Sequence, residues 1–101
     1  MSKALTLEEL HAIVDPVLEL VVRKNTDYGG SMFELGLKGI FVRMTDKIAR
    51  LKRLVWEGAE AQVKTESIED VFKDLIGYAA GALAYSRRQE AGRASNGPAH
   101  D

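Results

Sequence analysis

Three acids at regular spacing, Glu66, Asp70 and Asp74, are the residues best suited to chemistry in this chain. Helical positions four apart lie on one face about one turn apart, so three carboxylates there repel one another and call for something positive opposite. A hard divalent cation such as Mg²⁺ takes oxygen ligands, commonly one or two carboxylates together with substrate phosphates. A basic side chain would answer the same need. Glu69 and Asp70 also complement the positive end of a helix N-terminus. That account suffices for Glu69 and leaves Asp70 open. Asp74 lies too far along for it: residues 75–84 are almost wholly apolar or small, and a carboxylate carried into such a segment has to be paired, protonated or bound to a cation.

The densest source of positive charge is Arg43-x-x-Asp46-Lys47-x-x-Arg50. On a helix, Arg43, Lys47 and Arg50 share a side and could grip phosphate oxygens, with Asp46 as an orienter or a further ligand. Read alone, the same residues make an exposed face laced with ion pairs, Asp46 to Arg50 among them. A third cluster, Lys24-Asn25-Thr26-Asp27-Tyr28-Gly29-Gly30, is dense in turn formers. It is either a helix stop or a substrate-facing loop. In the second case Lys24 meets a phosphate, Asn25 and Asp27 supply hydrogen bonds, and Tyr28 stacks on a base.

The elements that carry these clusters are helical. Thr6 with Glu9 makes a capping-box start, and Leu7, Leu10, Ile13, Val14, Val17, Leu18, Val21 and Val22 follow at helical period to about Lys24. Pro16 interrupts that run and predicts a kink, or a fresh start with Asp15 as cap. Residues 31–36 suit one short turn. A second helix over 37–57 has an apolar stripe of Leu37, Ile40, Phe41, Met44, Ile48, Leu51, Leu54 and Val55, with Gly58 at its end. A third helix starts at the Ser67-Ile-Glu-Asp70 cap and runs to about Arg88, with Ile68, Val71, Phe72, Leu75, Ala79, Ala82 and Leu83 toward the core. Gly77, Gly81 and Ala84 form a small-residue stripe that would let another helix come close. Nothing alternates at a period of two for long enough to be a strand, so the fold class is all-α.

With 101 residues the chain is one domain, residues 1–88, followed by a disordered tail over 89–101 that is rich in Gly, Ala, Ser, Asn and Pro. A net charge of −1 gives no bulk attraction to nucleic acid or to a membrane surface. No run is long and apolar enough to span a bilayer, the N-terminus lacks a signal-peptide pattern, and the absence of cysteine fits the cytoplasm. His11 is expected on the surface, and Trp56 in the core or at an interface. No Gly-x4-Gly-Lys-Ser/Thr loop, Cys/His metal pattern or nucleophile elbow is present.

Taken together, Lys24-Asn25-x-Asp27-Tyr28-Gly29, then Gly36-Leu-x-Gly39 leading to Arg43-x-x-Asp46-Lys47-x-x-Arg50-Leu51, then Glu66-Ser-Ile-Glu-Asp70-x-x-x-Asp74-Leu-x-x-Tyr78, resemble the first type of nucleotide modification associated domain, a family of phages and bacteria. That resemblance implies a small helical protein of nucleotide or DNA-base metabolism. A looser likeness is to all-α nucleoside triphosphate pyrophosphohydrolases of the MazG and dimeric dUTPase type, in which acids from consecutive helices hold Mg²⁺ and water attacks a phosphate. This chain departs from their Glu-x-x-Glu and Glu-x-x-Asp pairs: its second helix offers only Asp46 among basic residues, and its third has the Glu66, Asp70, Asp74 series.

The leading expectation is a Mg²⁺- or Mn²⁺-dependent nucleotide pyrophosphohydrolase-like enzyme. Glu66, Asp70 and Asp74 would hold the ion, and Asp46, Asp70 and Asp74 would be the catalytic acids. Lys24, Asn25, Asp27, Tyr28, Arg43, Lys47 and Arg50 would bind the nucleotide, within a homo-oligomer that completes the bundle. The alternative is a non-catalytic accessory or binding subunit in which Asp74 pairs with Arg43, Lys47 or Arg50. A DNA-binding regulator is the weakest reading, because acids interleave the basic helix.

Overall fold

A computed structural model describes residues 4–27, 30–60 and 67–96, and the fold is all-α. Helix α1 spans Leu7–Asp27, a single 3-10 turn spans Ser31–Phe33, α2 spans Gly36–Leu51 and continues into a π-helical turn at Lys52–Trp56, and α3 spans Ile68–Asn96. Among the described residues there is no strand, and no helix is long and apolar enough to cross a membrane.

The helix ends follow from local chemistry. The Glu9 backbone N–H donates to Thr6 Oγ1 at 3.1 Å and opens α1. Pro16 lies inside one continuous helix rather than starting a new one. Ala12 and Pro16 are both exposed, so the carbonyl that loses its donor can be hydrated. Asp15, instead of capping, faces His11 Nδ1 at 3.3 Å. The helix also passes the expected stop at Lys24 and ends at Asp27. There the Asn25 carbonyl accepts the Gly30 N–H at 3.0 Å, and Gly30 takes φ 79° to close the turn.

Gly36 begins α2 at φ 63°, with Tyr85 Oη only 3.1 Å from where a Cβ would stand. Both the dihedral and the contact ask for glycine. The end of α2 widens: the Glu57 N–H reaches back to the Lys52 carbonyl at 2.9 Å, and Gly58 at φ 70° terminates the helix. Ser67 and Asp70 form a reciprocal cap on α3. Ser67 Oγ accepts the Asp70 N–H at 3.1 Å, while Asp70 Oδ2 accepts the Ser67 N–H at 3.2 Å and its hydroxyl at 2.9 Å. The far end of α3 runs to Asn96 rather than stopping near Arg88, so the first part of the expected tail is helical. Gln89, Glu90, Ala91, Arg93 and Ala94 are strong helix formers that carry it past Gly92. Residues 97–101 lie outside the described residues.

Helix α3 is the central element. Gly36 lies beside Tyr85 and Lys47 beside Asp74, which sets α2 antiparallel to α3. Phe33 stacks on Tyr85 with ring centroids 5.5 Å apart and ties the 3-10 turn to the same helix. The small-residue stripe works at Gly77, where Val21 Cγ2 comes within 2.8 Å of a Cβ position. Among the described residues the buried hydrophobic side chains are Val17, Ile40 and Val71, one from each helix. The rest of the expected core stripes are open on their flanks. Leu10, Ile13, Leu37, Phe41, Ile48, Val55, Ile68, Phe72 and Leu83 are all exposed, and Trp56 is 85 % exposed, outside the core.

Candidate functional site

One face of α1 repeats at i, i+3, i+4, i+7 and i+8: Val17, Leu20, Val21, Lys24 and Asn25. That face stands against Lys73, Asp74, Gly77 and Tyr78 of α3, and between them lies a cavity of about 330 Å³. Ser31 from the 3-10 turn and Arg43 from α2 complete its lining. Gly77 matters to this architecture. Its missing side chain lets Val21 approach, so α1 can lie near enough to α3 for Lys24 and Asn25 to share a cavity with Asp74. The volume is at the small end of the range for small-molecule sites.

The lining divides chemically. Val17, Leu20, Val21 and Gly77 supply apolar wall, and the polar groups are Lys24, Asn25, Ser31, Arg43, Lys73, Asp74 and Tyr78. Positive charge prevails. The single carboxylate, Asp74, is matched from outside the cavity by Lys47, whose Nζ lies 2.8 Å from Asp74 Oδ2. Lys73 holds Glu69 Oε2 at 3.1 Å along the exposed side of α3. Lys24 and Arg43 have no ion-pair partner among the described residues. Asn25 Oδ1 is buried with no hydrogen-bond partner, and a buried acceptor in that state favours any ligand that brings a donor.

Of the residues expected to bind a nucleotide, Lys24, Asn25 and Arg43 line this cavity, and Lys47 stands behind it through Asp74. Arg50 is half-buried on α2 and Asp27 is exposed at the end of α1, and neither is in the lining. Tyr28 and Glu66 lie outside the described residues. Of the expected catalytic acids, Asp74 lines the cavity, whereas Asp46 is exposed on α2. Asp70 is engaged at the helix start: the Ser67 hydroxyl, then the Ser67 backbone N–H, with a smaller contribution from Lys73, hold its carboxyl below the usual carboxylate range. That is the signature of a cap.

For a metal ion the donors do not assemble. Among the described residues no three His, Asp or Glu side chains group closely enough to hold one. Asp74 faces Lys47 and Asp70 faces Ser67. Lys73, Ser31 and the apolar residues of α1 were not expected in the site. The i, i+4 relation of Asp74 to Tyr78 and the adjacency of Lys73 to Asp74 were the available signals. Nothing in sequence distinguishes a pocket-facing Leu20 from a core one.

The family model for nucleotide modification associated domain 1 matches residues 24–84. A comparison with curated proteins and one with solved structures each find no match. The matched span covers more than half of the chain and holds every cavity residue except Val17, Leu20 and Val21. The chain belongs to the nucleotide modification associated domain 1 family.

Proposed function

We propose that this chain binds a phosphorylated nucleoside in the cavity between α1 and α3. The observation that carries the reading is the convergence of Lys24 and Arg43, neither of them ion-paired among the described residues, on an apolar-walled cavity whose one carboxylate is already balanced by Lys47. Guanidinium and ammonium groups held beside an apolar wall suit an anion attached to a flat, largely apolar body. Lys24 and Arg43 take phosphate oxygens, and Val17, Leu20 and Val21 pack against the nucleoside. Asn25 Oδ1 accepts a hydrogen bond from it. The membership of the family supports a role in nucleotide modification.

A second reading keeps the chain an enzyme, a pyrophosphohydrolase acting on nucleoside triphosphates with Mg²⁺. Asp74 favours it, being the acid that lines the cavity among cations. It requires Asp74 to leave Lys47 when a divalent ion arrives on the substrate's phosphates, and the described donors are not preset for that.

Thermal melting of the protein with a nucleoside, its mono-, di- and triphosphates and inorganic pyrophosphate separates these readings, with pyrophosphate release followed in parallel. The expected result is a rise in melting temperature with the phosphorylated nucleosides and none with the bare nucleoside. The rise should be lost in the Lys24→Ala/Arg43→Ala protein, whose circular dichroism should remain that of the wild type. No rise with any phosphorylated nucleoside overturns the binding reading. Pyrophosphate release that Asp74→Asn abolishes establishes the second.

A further inference from the structure

We propose that the face formed by the end of α2 and the start of α3 is covered by a second copy of this chain. The argument begins with area. The accessible surface of the chain is 8014 Å², whereas a folded monomer of this mass has about 5,700 Å². The difference, about 2,300 Å², is of the order that a permanent interface hides on one partner. Three buried hydrophobic side chains, at roughly 1.5–3 kcal/mol each, are a thin core for three long helices.

The excess has a location. Ile48, Leu51, Val55, Trp56 and Phe72, with the stem of Lys52, line an open groove of about 520 Å³ on the side of α2 and α3. Trp56 stands at its rim 85 % exposed, while Ile48, Val55 and Phe72 are each at least half exposed. Phe41, Ile48 and Val55 recur every seven residues along α2 and its π turn, the spacing of a seam between packed helices. A projecting indole and a recess on one face are the self-complementary pair that a two-fold contact needs, since each copy can offer both. The near-zero net charge of −1 leaves little repulsion between identical chains. The π-helical turn at Lys52–Trp56 acquires a use in this arrangement, because it sets the direction in which Trp56 leaves the helix.

Sedimentation equilibrium on the full chain tests the assignment, with Trp56, the sole tryptophan, as an internal reporter. The expected mass is twice the 11.1 kDa of one chain, with blue-shifted emission that acrylamide quenches poorly. Ile48→Asp changes a side chain that is 54 % exposed. It should shift the protein to monomer and make Trp56 readily quenchable, or unfold it if the monomer is unstable alone. A wild-type monomer at tens of micromolar overturns the proposal, whether Trp56 is shielded by another segment or open to solvent. A dimer in which Trp56 stays fully quenchable, or one that survives Ile48→Asp, also overturns it by placing the contact elsewhere.

Discussion

Lys47 Nζ and Asp74 Oδ2 meet at 2.8 Å across the contact between α2 and α3, with the lysine 18 % and the aspartate 34 % exposed. This pair settles how a carboxylate can stand inside an otherwise apolar stretch of α3. The lysine arrives from α2 on the side away from the cavity, and the carboxylate also lines the cavity. One residue therefore links helix packing to the candidate site. The charge that remains to meet a ligand is that of Lys24, Arg43 and Lys73.

Breaking that pair from one side leaves a half-buried charge unmatched. Asp74→Asn and Lys47→Met should each lower stability by about 1–2 kcal/mol, with solvent exposure keeping the loss below that of a fully buried pair. The double variant should lose less than the sum, by a coupling of about 1 kcal/mol, read from urea unfolding of all four proteins. Strict additivity would mean that the two groups do not interact in solution.

Gly77→Ala should destabilise the protein even though alanine is the better helix former. Its Cβ would meet Val21 Cγ2 at 2.8 Å, and a β-branched neighbour has little freedom to move aside. The clash, about 1–3 kcal/mol, outweighs a propensity gain of about 1 kcal/mol. In a Val21→Ala background the same change should become stabilising. Gly92→Ala, where nothing lies within 4 Å, should stabilise in any background. Chemical denaturation of these variants reads the sign directly.

The contrast between Gly77 and Asp70 shows how far the sequence could be read. The helices, the cap at Ser67 and the small-residue approach were legible because each rests on local periodicity or on residues three to four apart. The partner of Asp74 was narrowed to three cations by charge logic, and only the register of α2 against α3 selects Lys47 among them. Asp70 belonged to the same i, i+4 series as Asp74, yet Ser67 claims its carboxylate one turn earlier. A periodic run of acids does not reveal where capping stops and the site begins. The partition of the apolar stripes into buried and open halves was equally hidden, since Ile40 and Phe41 are neighbours in sequence and lie at 1 % and 65 % exposure.

Because the Ser67 hydroxyl and N–H hold the Asp70 carboxyl below its usual range, the folded state favours the ionised form. The sign follows: stability from this cap is fully present above the unfolded carboxylate pKa, and it is lost as pH falls through the depressed folded value. The window is the acid end, below about pH 4. Asp70→Asn, which cannot ionise, should be less stable than wild type at pH 7, and the gap should close as pH is lowered toward 3. Ser67→Ala should cost about 1 kcal/mol at neutral pH through the lost cap. Urea midpoints across pH 3–7 would expose a pH-independent gap, which contradicts the assignment.

Divalent cations offer the last discrimination, and they have to be tested with and without nucleotide. With Asp74 facing Lys47 and Asp70 facing Ser67, the described acids present no preset cluster, so Mg²⁺ or Mn²⁺ alone should leave the melting temperature unchanged at millimolar concentration. An ion that binds only the folded state would raise it with concentration. Added together with a nucleoside triphosphate, the ion comes already held by phosphate oxygens, and its need for protein ligands falls to one or two. The melting temperature should then exceed that with triphosphate alone only if Asp74 gives up Lys47. Lys47→Met, which frees Asp74, should strengthen that increment, and Asp74→Asn should remove it. A rise with metal alone that disappears in Asp74→Asn would instead make Asp74 a ligand of a standing metal site, with Lys47 displaced from it in solution.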